Sequence, residues 1–249
     1  FEHMFSLRLR AVPVARAYHL ISHPASNRIV HINSPEAVLF TKAIEHVPKY
    51  GFTKKAVDSA VRDLKYLDSI QSAITALLGH SMEQLLVLFW LKLQRQELYD
   101  HVLDTKLPFH QIRNEYDRAA YLLNKRLSFN EPVIEQLSGA LAQLVLPYNV
   151  ALSLEELHNL SDDVAFYAGD MSNDTAWYAK RLLLSSIYVK AELFQLQDNT
   201  NGFFRTKEFV ESRVASVKNM GYAYSSVEQW AIFNAILLVN LIKSQLARG

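Results

Sequence analysis

The chain has 249 residues, half of them hydrophobic and 11% aromatic, which suffices for a packed core and excludes global disorder. Its 26 basic and 25 acidic residues nearly cancel, so it is not a general polyanion binder. No Cys is present, which excludes disulfide scaffolds, iron–sulfur clusters, thiolate zinc sites and cysteine nucleophiles, and seven Gly with seven Pro are few for a β-sandwich, pointing to an all-α fold.

Residues 1–35 read as a mitochondrial targeting leader. They carry Arg8, Arg10, Arg16 and Arg28, no Lys, and the single acid Glu2. Met4 looks like a native start, and residues 5–19 mix Arg with apolar residues, as presequences do. Arg16-Ala17-Tyr18 resembles a matrix-processing site.

A run of helices follows. Ser34-Pro35-Glu36 carries the N-cap, first-position and first-turn signals of a helix, closed by Pro48 and Gly51. Thr53 opens a second, with Ala56, Val57, Ala60, Val61 and Leu64 at three-and-four spacing. A third runs from about Asp68 to Gly79, and a longer one spans 81–103. Three short helices and a long one give a helix-turn-helix-like region over 36–103. Further helices are predicted over 111–127, 132–146, 153–168, 174–197 and 203–220. Ser153 with Glu156 has the form of a capping box, and Asp174 that of an N-cap.

The last helix begins at Ser226. Between Trp230 and Ile242 only Asn234 and Asn240 are polar. The stretch is shorter than the ~20 residues a span needs. It is apolar around nearly its whole circumference, so it suits either an interfacial helix or a core helix, and composition alone does not separate the two.

Chemistry-bearing patterns are sparse. Glu155 and His158 form one Glu-x-x-His, where a di-iron bundle needs two such motifs and further glutamates. No P-loop, Gly-x-Gly-x-x-Gly or Gly-x-Ser-x-Gly occurs. The third helix, 69–77, holds neither Lys nor Arg, which argues against DNA recognition. Residues 127–179 hold eight acids and no Lys or Arg, and they end near Trp177-Tyr178. Such an aromatic pair suits either a partner hot spot or a core anchor. The segments 141–146, 164–167 and 182–194 are apolar on more than one face, which predicts a cavity between them.

One resemblance covers the chain from about residue 36 onward. Leu146-Pro-Tyr-Asn-Val150, Ser161-Asp-Asp163, Tyr167-Ala-Gly-Asp170, Trp177-Tyr178, Arg181, Ile187-Tyr188 and Glu192-Leu193 resemble the core motif of the mitochondrial ubiquinone-biosynthesis accessory proteins, the ninth of the COQ series. Val47-Pro-Lys-Tyr-Gly-Phe52 and residues 207–220 continue the match, and the C-terminal end resembles the fungal members.

The resemblance implies a TetR-like helical bundle with a degenerate helix-turn-helix, a lipid-binding domain over 104–225 and a membrane-associating helix over 226–249. It implies a homodimer on the matrix side of the mitochondrial inner membrane, peripheral to it, with no catalysis, cofactor, metal or nucleic acid. The implied partners are an isoprenoid lipid or ubiquinone intermediate, inner-membrane phospholipid, the di-iron demethoxyubiquinone hydroxylase and other ubiquinone-synthesis enzymes. In the cavity predicted from the apolar segments, the lipid-binding residues are Leu144, Val164, Tyr167, Leu183, Ile187 and Phe194. Those carried over as partner-binding are Asp162, Asp163, Trp177, Tyr178 and Arg181, and Trp230, Phe233, Leu237 and Lys243 are assigned to the membrane. The competing readings are a TetR-like DNA-binding transcription regulator and a di-iron enzyme using Glu155 and His158.

Overall fold

A computed structural model describes Val30 and residues 33–172 and 175–220. Most of the predicted leader, Asp174, and the last helix with Trp230, Phe233, Leu237 and Lys243 lie outside these residues. The described residues form nine α-helices and no strand: α1 Pro35–Tyr50, α2 Lys54–Asp63, α3 Ser69–Leu78, α4 Met82–Leu103, α5 Glu115–Ser128, α6 Ile134–Leu144, α7 Val150–Ala168, α8 Thr175–Gln195 and α9 Phe204–Met220. The expectation of an all-α bundle holds.

Local chemistry explains most of the boundaries. Ser34 and Ser81 each accept a backbone N–H in the first turn of α1 and α4. Pro48 does not close α1, which runs through it to Tyr50; so near a helix end Pro removes only one donor. Gly51, at φ +69°, ends the helix and returns its N–H to the Val47 carbonyl. α5 starts later than predicted because Asn114 caps the N–H groups of Tyr116 and Asp117. The capping box at Ser153 and Glu156 does not form. α7 already begins at Val150, Ser153 donates to the Asn149 carbonyl from inside the helix, and Glu156 turns to Arg95.

Two apolar clusters are strung along α4. The front cluster joins α1, α2, α3 and the first half of α4, where Phe52 meets Trp90 edge-on with ring centroids 5.0 Å apart. It also takes Val133, Leu137 and Ala140, so the rear half of the chain helps to build the front core. The rear cluster gathers Leu98 of α4 with α5, α7, α8 and α9. The middle of α4, between the two, is polar and nonetheless buried: Gln94, Arg95 and Gln96.

Gly169 ends α7 in the left-handed region, at φ +95°. It delivers Asp170 to the α7–α8 turn, where that carboxylate gathers two cations. A Cβ at Gly169 would meet Arg118 at only 3.6 Å, so the penalty for adding one is conformational rather than steric. Gly169→Ala should cost ~1–2 kcal/mol, lowering the melting temperature by roughly 2–6 °C by differential scanning calorimetry.

Candidate functional site

A cavity of about 650 Å³ lies between α6, α7 and α8, with α4 and α5 contributing from behind. That is within the usual range for ligand sites, ~300–1,000 Å³. Leu141 and Leu144 of α6, Val145 and Leu146 of the following break, and Leu154, Leu157 and Leu160 of α7 supply much of its apolar wall. α8 presents Tyr188, Val189, Glu192 and Leu193 to it. The Leu-Pro-Tyr-Asn break separates α6, which ends at Leu144, from α7, which starts at Val150, and Val145 and Leu146 within the connection line the cavity.

The lining is graded. Leu154 is exposed and Leu141, Leu144 and Leu157 are half-buried. By contrast Arg95, Arg126, Glu156, Tyr188 and Glu192 are all buried. These polar groups are held in a network. Arg95 donates to Asp163 Oδ2 at 2.7 Å and to Glu156 Oε2 at 3.0 Å. Burial works against the Arg95 charge, but the two carboxylates outweigh it and raise its pKa. Asn130 donates to Glu192 and Gln195, each at 3.1 Å, and Tyr188 donates to Glu192 at 2.7 Å. Burial pushes the Tyr188 phenol well above its ordinary value, which keeps it a donor.

The residues assigned to lipid divide. Leu144 lines the cavity. Val164, Tyr167, Leu183 and Ile187 belong to the rear core on the opposite face of α8, where Leu183 and Ile187 border a void of only about 30 Å³. Phe194 stacks on Phe209 with ring centroids 5.2 Å apart and is partly exposed. The deep polar residues Arg126, Asn130 and Glu192 are not among the assigned site residues; Glu192 stands in the family motif, and the position of Arg126 just before a long cation-free stretch is its one sequence signal.

The carried-over partner residues come together at the α7–α8 corner, but at different depths. Tyr178 is 52% exposed and packs edge-on against half-buried Trp177, centroids 4.7 Å apart. Asp162, Asp163 and Arg181 are buried beneath. Arg181 Nε donates to Asp162, and Nη1 donates to Asp170 and to the Trp177 carbonyl. Its guanidinium carbon sits 3.8 Å from the Trp177 ring centroid, so the salt bridges hold the indole in place through a cation–π stack. Met171 and Leu182 add exposed apolar surface on the same turn and helix.

Among the described residues no group of three His, Asp or Glu is placed to hold a metal ion. No single described helix is long and apolar enough to cross a membrane.

Asp170 anchors the aromatic corner. Burial pushes its carboxyl up, but donors from Lys180, Ser172 and Arg181 outweigh this and hold it below its ordinary 3.8. A carboxyl depressed on folding contributes stability that is present above about pH 4 and is lost as pH falls through the folded value. Asp170→Asn should therefore destabilise the protein by ~2 kcal/mol at pH 7 and flatten the acid limb of a stability–pH curve below pH ~4. Chemical denaturation across that range reads both effects.

The COQ9 family model matches residues 150–221, which span α7, α8 and α9. The chain is similar to the mitochondrial ubiquinone biosynthesis protein COQ9 of Saccharomyces cerevisiae, 31% identical over 252 residues, covering 94% of this chain and 95% of the relative. It is 32% identical to that of Eremothecium gossypii over 94% of this chain and 98% of the relative. Against the Homo sapiens protein it is 32% identical over 76% of this chain and 59% of the relative. The two fungal matches run almost end to end through the helices that build the cavity and the aromatic corner, and on that footing the chain belongs to the COQ9 family.

Proposed function

We propose that the chain is a lipid-binding accessory protein of ubiquinone biosynthesis that presents an isoprenoid intermediate to the di-iron demethoxyubiquinone hydroxylase. Family membership supports the coarser part, a role in ubiquinone biosynthesis in the mitochondrion. The observation that carries the finer part is the cavity of about 650 Å³, walled by leucines and valines of α6, α7 and α8. Leu144 and its neighbours hold the chain of the ligand. Val164, Tyr167, Leu183 and Ile187 support the α8 wall from behind.

The protein acts by presentation, without catalysis or cofactor of its own. The exposed Tyr178, the fixed Trp177 beside it and the apolar Met171 and Leu182 have the composition of an interface hot spot, and the hydroxylase is the partner that docks there. Asp162, Asp163 and Arg181 serve that surface from below, by orienting Trp177. The bundle takes a TetR-like layout, with 36–103 as the degenerate helix-turn-helix and 104–225 as the lipid domain. α3 carries no cation and exposes Leu77 and Leu78, which favours lipid over DNA as the partner of this fold. As a homodimer it lies on the matrix side of the inner membrane, with residues 226–249 on the phospholipid.

Mass spectrometry of lipid co-purifying with the full chain tests the cavity. Leu157→Trp, which narrows it at its wall, should cut the bound lipid severalfold and leave the melting temperature within a few degrees; undiminished lipid would refute the site. The corner is tested separately. Trp177→Ala and Tyr178→Ala should weaken hydroxylase capture by roughly 10- to 100-fold while circular dichroism stays helical. Loss of fold on Trp177→Ala would make that residue a core anchor instead.

A further inference from the structure

The deep wall of the cavity carries a cation that the fold itself does not satisfy. Three arginines are buried among the described residues: Arg95, Arg126 and Arg181. Arg95 is paired with Asp163 and Glu156, and Arg181 with Asp162 and Asp170. Arg126 is 1% exposed, lines the cavity, and has no described carboxylate within ion-pair distance. Its two faces are covered: the guanidinium carbon lies 5.6 Å from the Trp90 ring centroid and 5.3 Å from that of Tyr188. Nη1 donates to Asn130 Oδ1 at 3.0 Å, and the buried Nε–H has no acceptor.

A guanidinium has five N–H donors and no acceptor, and a buried charged donor left unmade is costly. What sets Arg126 apart from its two counterparts is charge: each of them holds two carboxylates, and it holds none within ion-pair distance. Glu97 feels the Arg126 charge without coming within ion-pair distance, and Glu192 is linked to Arg126 through Asn130 and is already engaged by Asn130 and Tyr188. The chemistry of the missing acceptor follows from the charge balance of the lining. Arg95 and Arg126 stand against Glu156 and Glu192. An anionic group would leave this buried site with net negative charge beside two carboxylates, whereas a neutral oxygen satisfies Arg126 without unbalancing it.

We infer that Arg126 anchors the head of the ligand: it donates to a neutral acceptor oxygen, a ring carbonyl or aryl ether, of a chain-bearing molecule. The chain then runs over the leucines of α6 and α7 toward the half-exposed break between them. The inference rests on the reading of the cavity as a lipid site and adds to it an orientation, head inward and tail outward.

The test compares three ligands on the full chain by calorimetric titration: decylubiquinone, with a quinone head; decylbenzene, with a ring of similar shape lacking oxygens; and decanoate, with an anionic head. The wild type should bind decylubiquinone at least about tenfold tighter than decylbenzene, the effect of one hydrogen bond to a charged donor. Arg126→Met should erase that ratio while decylbenzene affinity holds. Should the Met variant lack a cooperative melt, Arg126→Lys replaces it; loss of Nε and of the planar fork should still lower the ratio severalfold. A wild-type ratio near one, or an unchanged ratio in the variant, overturns the inference and leaves the lipid site standing. Decanoate binding tighter than decylubiquinone overturns the neutral head. Failure of all three ligands to bind overturns both readings together.

Discussion

A layer of buried charge crosses the bundle between its two apolar cores and sets how α4, α7 and α8 meet. Arg95, midway along α4, reaches Asp163 and Glu156 on α7, residues 68 and 61 positions away in sequence. Such pairs contribute little net stability relative to an apolar filling, because desolvation consumes much of the Coulombic gain. What they do impose is register. A buried arginine with a carboxylate one turn off would be left uncompensated, at a cost of several kcal/mol, so α4 and α7 meet at one relative setting.

That setting propagates through two adjacent residues. Asp163 turns to Arg95 on α4, and Asp162 turns to Arg181 on α8. Neighbouring positions on a helix point about 100° apart, so consecutive aspartates pin α7 against partners on two sides. The Asp162 side fixes Trp177 through Arg181. The Arg95 side, through Glu156, fixes the floor of the cavity. One short segment of α7 therefore holds both the aromatic corner and the deep end of the cavity, and the two cannot be displaced independently without breaking a buried ion pair.

The cavity itself follows from how little α6 can do. It is an eleven-residue helix, and its buried positions Leu137 and Ala140 are committed to the front core with α1 and α4. Leu141 and Leu144 pack beside that core on one side and line the cavity on the other. α8 is similarly divided. Leu183, Ile187 and Ala191 pack into the rear core, while Tyr188 and Glu192, at i and i+4, turn to the cavity with Val189 and Leu193. With two faces occupied and its exposed positions apolar too, at Tyr178, Leu182 and Phe194, the helix has a weak periodicity.

Much of the architecture was legible in the residues alone. Caps, glycines and three-and-four spacing are local chemistry, so nine helices could be located from them, with errors confined to ends such as those at Pro48, Asn114 and Ser153. The motif around 146–193 likewise carries the family, because family likeness is a property of residue order. Three-dimensional packing decided the remainder. Periodicity defines the faces of α8 but not what stands opposite each, so Ile187 and Tyr188 read alike and only one meets the cavity. Asp162 and Asp163 read as partner-binding residues, and their depth shows only in the fold because Arg95 and Arg181, which they pair with, lie on other helices. Arg126 reads as one more base among many; its isolation exists only once α5 is folded between Trp90, Tyr188 and Asn130. Local chemistry sets where each helix begins and which stripe it buries, whereas the depth of a charge depends on contacts dozens of residues away, which no local pattern encodes.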